Sequence, residues 1–366
     1  MTPLSTNAPN AGSDSIPEND NRHLFPWKWN LTDLEQVKKN GLNVFSCFSC
    51  GGGSTMGYKL AGYTVIGNCE IDRDMNKIYN INHHPKYSYL MDVRDFYKQD
   101  NTLLPKELFH LDILDGSPPC SVFSMAGQRD KGWGTEKVFR EGQKKQRLDD
   151  LFFAFIDIAE KLKPKVVVAE NVKGLVTGNA KGYVHEIFKA FKAAGYTPQL
   201  FLLNSARMGV PQARERVFFI AHRNDLKLPK LKLDFQEPII PFGSIRSEKG
   251  VPVNPDTEAY RLLQMRLDSD TSMADINERL SGKNSGYTIP IVNDNRVCCT
   301  VVSGSTFYRG YDGTKFTKQD FVSAQTFPQD YDFLDQSPQY VCGMSVPPVM
   351  EAQIARQIYL QWLRFI

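Results

Sequence analysis

The residues best suited to chemistry sit where short apolar runs end. In "LDILDGSPPCSVFSMAG", Leu111 to Gly127, a single thiol follows two prolines. Paired prolines fix the backbone and stop a strand from continuing, so Cys120 is expected at a sheet end. There a thiolate could act as a nucleophile, although a small buried hydrophobe would leave the same trace. Glu170 emerges from the apolar run "VVVAENV". Desolvation there is expected to raise its pKa and make it a proton donor, unless it merely caps the next helix. In "GVPQARERVFFIAHR", Gln212, Arg214 and Arg216 alternate ahead of a strand, which sends both guanidiniums to one face for a carbonyl oxygen, carboxylate or phosphate.

A second group of residues reads as a nucleoside site. "SCGGGSTMG" carries Gly51, Gly52 and Gly53 in a row, which lets the backbone turn tightly or approach a ligand. An ordinary tight turn would look the same. The spacing fits neither GxGxxG nor GxxxxGKS, and no lysine is placed for phosphates. Glu70 in "NCEID" lies about twenty residues further on, the interval that suits a ribose diol. Asp92 in "MDVRD" is placed to accept from an adenine amino group. Together they describe an adenosine-bearing cofactor held without a phosphate grip. Cys47 and Cys50 form a CxxC, but with no second CxxC or His-x-x-x-His near it, structural thiols are expected rather than a metal.

Alternating strands and helices must position these groups. "NVFSCF", "YTVIGNCEI", "LDILDGSPP", "PKVVVAENV", "PQLFLLN" and "RVFFIAHR" read as strands, with helical periods between several of them. One such period has Leu148, Phe152, Phe155, Ile158, Ala159 and Leu162 on one face and stops at Pro164. The fold class predicted is α/β, a doubly wound, mostly parallel sheet, in which ligands bind beyond the carboxyl ends of the strands. Residues 1–22 are polar and proline-bearing, a flexible tail by composition. Residues 23–223 form the catalytic and cofactor-binding domain, and 224–295, rich in proline and charge, a small separate domain. Residues 296–366 return to the first and end in a helix with Met350, Ile354, Ile358 and Trp362 on its core face. Arg129 to Arg147 holds seven Lys/Arg against three acids, a net of +4 that favours a polyanion, within a chain whose own net charge is only +3. No run approaches a membrane span, and no signal-peptide pattern opens the chain, so a cytoplasmic protein is expected.

A thiol, a buried acid, twin arginines and an adenosine loop in this order resemble the DNA cytosine-5 methyltransferases. The matching stretches are the loop from Phe48 to Gly57, "CEID", "GSPPCSVFS", "AENVKGL", "VPQARERVFFI", "AQTFPQDYDF" and "GMSVPP". The resemblance implies methyl transfer from S-adenosyl-L-methionine, leaving S-adenosyl-L-homocysteine, to C5 of a flipped-out cytosine in double-stranded DNA, with no metal. Cys120 would add to C6 and Glu170 would protonate N3. Arg216 would contact O2 and Arg214 would hold the cysteine loop. Phe48 would stack on adenine beside Ile71, with Glu70 on the ribose, Asp92 on the adenine amine, and Pro119, Ser345 and Val346 completing the pocket. Ser121, Ser124, Arg129, Lys131 and Gln212 would meet DNA, and residues 224–295 would recognise its sequence.

The resemblance also suits a cognate restriction endonuclease acting on the same site, a bacterial or phage origin and a monomer. A catalytically silent DNA-binding relative and a tRNA cytosine-5 methyltransferase of the same fold are the alternatives. The chain departs from the family pattern on the cofactor side. Ser46 and Cys47 replace the usual acid and leucine, Cys50 replaces the first glycine, Ser121 follows "PPC" in place of glutamine, and Met344 stands where asparagine is usual. Activity with reduced cofactor affinity is the expectation.

Overall fold

The apolar runs become strands and the amphipathic stretches become helices, in the alternating order that the periodicities predict. A computed structural model of the chain describes residues 23–119, 151–177, 181–283 and 285–366. The first part contains β1 (Asn43–Cys47), α1 (Gly53–Leu60), β2 (Thr64–Glu70), α2 (Arg73–His83), β3 (Tyr87–Leu90), α3 (Val93–Lys98) and β4 (Ile113–Gly116). It continues with α4 (Leu151–Leu162), β5 (Val166–Val172), α5 (Lys181–Ala193), β6 (Tyr196–Asn204), β7 (Gln212–Ala213) and β8 (Glu215–Arg223). The remainder holds α6 (Glu258–Gln264), α7 (Met273–Ser281), β9 (Ile291–Val292), β10 (Cys298–Cys299), β11 (Tyr308–Arg309), α8 (Lys318–Ala324), α9 (Pro338–Met344) and α10 (Pro348–Gln361).

Seven strands form the main sheet in the order β3-β2-β1-β4-β5-β8-β6. All neighbours run parallel except β8, which is antiparallel to both β5 and β6. The winding reverses at β1, flanked by β2 on one side and β4 on the other, so the crevice for a ligand opens at the carboxyl end of β1. Successive residues feed opposite faces of the sheet. Val44, Ile113, Val166, Val168, Phe218 and Ile220 join one core with α1 and α10. Phe45, Leu114, Val167, Ala169, Val217 and Phe219 join the other, with α3, α4 and α5. Burial on both faces is why these strands read as unbroken apolar runs.

The C-terminal helix closes back on the first one. Met350, Ile354, Ile358 and Trp362 are fully buried, as their spacing predicts. Gly57 lets α10 approach closely: a Cβ there would lie 2.4 Å from the Glu351 Cβ and 2.5 Å from the Pro348 carbonyl oxygen. Order at the N-terminal side includes Trp27 and Trp29, both buried, and the Trp29 indole donates to the Thr326 carbonyl at 2.9 Å.

The small unit has its own core of Val253, Leu262, Leu263, Met273, Ile276, Ile291 and Tyr308. Its chain does not stop at residue 295. β10 returns to pair with β7, but β11 then goes back to pair with β9, and Lys315 bridges to Val251. The expectation ends the small unit at residue 295; Tyr308, Arg309 and Lys315 pair back with it. Their partners are distant in sequence, so no local composition shift marks them.

Candidate active site

The glycine loop follows β1 through a strained path. Phe48 and Cys50 have φ of 54° and 45°, and Gly52 has 77°, so two non-glycine residues take left-handed backbone. The space left by the missing Cβ atoms is filled by the protein itself. A Cβ on Gly51 would meet Val341 Cγ1 at 2.4 Å, one on Gly52 would meet His83 Nε2 at 2.1 Å, and one on Gly53 the Val346 carbonyl oxygen at 2.2 Å. The Tyr331 hydroxyl donates to the Gly51 carbonyl oxygen, and His83 Nε2 lies 3.4 Å from the same atom. Burial holds the His83 pKa well below its usual value, leaving a neutral ring. Ser345 and Val346, both buried, complete this wall, and the Ser345 carbonyl accepts from Gln325 at 2.7 Å. His83, Tyr331 and Gln325 were not singled out from the sequence; they touch the loop only through long-range packing.

Two acids and apolar groups gather at the neighbouring strand ends. Glu70 ends β2 and is buried, accepting from the Cys50 N–H at 2.8 Å and the Asp72 N–H at 2.9 Å. Burial pushes its pKa up against the pull of those backbone donors. Ile71 beside it is 43% exposed, an apolar face open at the crevice. Phe48 is half-buried and tilted against Phe155 at 6.4 Å. Asp92 caps α3 and is forked by Arg94, whose Nε donates to it at 2.9 Å. Burial would raise the Asp92 pKa, but the hydrogen bonds and charge of Arg94 outweigh it and hold the carboxylate low. An open apolar side chain, an aromatic ring and carboxylates at adjacent strand ends fit an adenosine moiety. Cys47 and Cys50 are free thiols, and burial raises the pKa of both, that of Cys50 to about 12.

On the other side of β1, the strand that leads to Cys120 is tied to the strand that bears Glu170. Asn171 Nδ2 donates to the Pro118 carbonyl oxygen at 3.1 Å, and Pro119 follows at the limit of the described residues. Glu170 pairs with Arg216 across the antiparallel β5–β8 junction, Oε1 to Nε at 2.9 Å, with both side chains nearly buried. Burial lowers the Arg216 pKa and the Glu170 carboxylate resists that shift. Glu170 is therefore not alone in an apolar run. Its own strand is apolar, but the guanidinium arrives from β8, distant in sequence. The anchoring role of Asn171 in "AENV" depends on Pro118, over fifty residues away, so no local pattern marks it.

Arg214 and Arg216 take different partners. Arg214 is buried and its two terminal nitrogens donate to the Val301 carbonyl at 3.0 Å and the Gly343 carbonyl at 2.9 Å. Burial, then the charge of Arg216, depresses its pKa. Gln212, expected at the DNA, is fully buried here, donates to Gln325 Oε1 at 2.6 Å and accepts from the Val301 N–H at 2.8 Å, an internal strut among the described residues. Cys120, Ser121, Ser124, Arg129 and Lys131, with the rest of the basic stretch to Arg147, lie outside the described residues.

The fold and these strand ends define a class: a doubly wound nucleoside-binding enzyme with a carboxylate–guanidinium pair beside a strand that leads to a thiol. The C-5 cytosine-specific DNA methylase family model matches residues 42–360, and the chain belongs to that family. Membership implies S-adenosylmethionine as methyl donor. The type II methyltransferase M.Sau96I of Staphylococcus aureus is 32% identical over 229 residues, 62% of this chain and 49% of that one. M.DdeI of Desulfomicrobium norvegicum is 26% identical over 382 residues, 87% of this chain and 88% of the relative. The match spans about half the length of the first curated relatives. Among solved structures, a DNMT2 mutant of Spodoptera frugiperda superposes with a TM-score of 0.59 at 18% identity, covering 87% of this chain and all of the other, a likeness of fold. Among the described residues no helix is long and apolar enough to cross a membrane.

Proposed function

We propose that the protein methylates cytosine C5 in double-stranded DNA, in a specific sequence, through a covalent adduct on Cys120. The observation that carries this reading is the Glu170–Arg216 pair on β5 and β8, beside the Asn171 anchor on Pro118. Cytosine C5 is a weak nucleophile, so the ring must first be made electron-rich. The Cys120 thiolate adds to C6 while Glu170 hydrogen-bonds to and protonates N3, giving an enamine. Arg216 holds Glu170 in place and reaches the base O2. S-adenosylmethionine, when bound, supplies an electrophilic methyl group. Phe48 and Ile71 would flank its adenine, Glu70 would take the ribose and Asp92 the amine, with Gly51–Gly53, Pro119, Ser345 and Val346 around it. After C5 is methylated, water takes the C5 proton, the Cys120 thiolate leaves C6 and N3 returns its proton to Glu170, which restores the aromatic ring. None of this is possible in a stacked duplex, so the base must be flipped out. The basic stretch after Cys120, with Ser121, Ser124, Arg129 and Lys131, would close on the DNA, and the small unit would read its sequence. A partner endonuclease cutting the same site is consistent with the type II relatives.

Purified protein with tritiated S-adenosylmethionine tests the reading on duplex DNA and on tRNA in parallel. Label in DNA C5 that Cys120→Ala abolishes, with wild type trapped on 5-fluorocytosine DNA, is the expected result. Label confined to RNA, or none in any nucleic acid, would overturn it. Bisulfite sequencing of DNA from expressing cells then gives the site.

A further inference from the structure

Position 46, where the family's loop usually opens with an acid, is Ser46 here, yet a carboxylate stands directly beside it. The parallel register of β1 and β4 pairs Ser46 with Asp115. Asp115 is 2% exposed, and its Oδ2 accepts from Ser46 Oγ at 2.7 Å and from Ser54 Oγ at 2.7 Å. The Tyr58 hydroxyl donates to Oδ1 at 3.4 Å. Ser46 precedes the glycine loop, Ser54 lies in the first turn of α1 beyond it, and Tyr58 is one turn further on. Asp115 itself is five residues before Cys120 on the strand that leads to it. One buried carboxylate thus binds both limbs of the cofactor loop to the nucleophile's strand.

The surrounding charges fit this role. Among the described residues no Lys, Arg or His forms an ion pair with Asp115, and the side chains that donate to it there are hydroxyls. Glu351, buried on α10, shares the Tyr58 hydroxyl, and burial pushes its pKa well up. A phenol has one proton to give. With Glu351 holding its own proton, Tyr58 is free to donate to Asp115. Burial, and then the charge of Glu170, brings the Asp115 pKa up to about 6 against the pull of the Ser46, Ser54 and Tyr58 hydroxyls, and above that it is ionised.

We propose that Asp115 is a positioning residue, an acid transposed across the strand pair that locks the cofactor loop to the strand that leads to Cys120. The proposal rests on the reading of Cys120 and the loop given above. Asp115→Asn and Asp115→Ser are expected to weaken S-adenosylhomocysteine binding at least tenfold, since hydroxyl donors to a charged acceptor are lost from both sides of the loop. They are also expected to raise KM for S-adenosylmethionine more than KM for DNA. The decisive variant is the exchange Ser46→Asp/Asp115→Ser, which returns the acid to β1. Recovery of affinity in the exchange, with Ser46→Asp alone giving none, supports transposition, because a general loss of packing would not be repaired by a second substitution. If Asp115→Ser fails to fold, recovery of folded, binding-competent protein in the exchange is the same rescue. Wild-type affinity in Asp115→Asn, or a folded exchange variant no better than Asp115→Ser, overturns it. Product binding needs no turnover, so a wild type that methylates no nucleic acid would refute the functional reading while leaving this one decided by the titration.

Discussion

Replacing Gly52 by alanine tests the finding that the glycine loop is shaped by the protein's own side chains. Two costs add. At φ 77° an L-residue is in the left-handed region, worth roughly 1–2 kcal/mol. Its Cβ would lie 2.1 Å from His83 Nε2 and 2.6 Å from Cδ2, an overlap that forces one of them to move. An exposed ring would swing aside cheaply. His83 is buried, packed edge-on against Tyr79 at 4.7 Å and against Tyr331 at 6.0 Å, so overpacking of about 1–3 kcal/mol is expected. The sum is about 2–5 kcal/mol, read as a fall in the thermal or urea midpoint and as weaker S-adenosylhomocysteine binding by calorimetry. Against a His83→Ala background, the overlap has nothing to meet, and Gly52→Ala should then cost only the backbone part, roughly 1–2 kcal/mol. Equal costs in the two backgrounds would refute the steric account.

Truncating Arg214 to alanine removes two charge-assisted bonds to buried carbonyls and is expected to destabilise by roughly 3–6 kcal/mol, with wild-type stability in Arg214→Ala as the contrary result in a melting experiment. For Asp115, burial raises the folded pKa from 3.8 to about 6, so the folded state holds this proton longer than the unfolded chain. The proton-linked part of its stability is fully present below about pH 4 and declines as pH rises through 6, above which the ionised carboxylate still accepts from Ser46, Ser54 and Tyr58. The wild type's melting advantage over Asp115→Asn should therefore shrink across that window; a constant difference would show that the group does not titrate there.

What the sequence discloses follows from where each residue's partners lie. β5 and β8 were legible because both faces of the central sheet are buried and "VVVA" and "VFFIA" have no polar interruption. The α10 stripe was legible because its spacing is local. β3 was missed, since a four-residue edge strand with alternate residues exposed carries little signal. Periodicity also says nothing of direction, so the antiparallel insertion of β8 between β5 and β6 could not be read. The chemistry-bearing residues were found by type and position, but not their neighbours. Gln212 looked like one of three same-face polar groups, and only Gln325, over a hundred residues away, reveals it as a strut. Asp115 passed as part of a strand because its meaning depends on Ser46 across the sheet.

The wall behind the glycine loop has a consequence for the protein's synthesis. The loop's carbonyl at Gly51 is held by Tyr331, 280 residues further along the chain, and its last glycine packs against Val346. At translation speeds of roughly 5–20 residues per second, the loop waits about 14–56 s before the residue that clamps it has been made. Until then its left-handed turns rest on the earlier partners Glu70, His83 and Asp115 alone. Chains broken off by a stop codon before this point therefore lack the Tyr331 and Val346 contacts that complete the loop's wall.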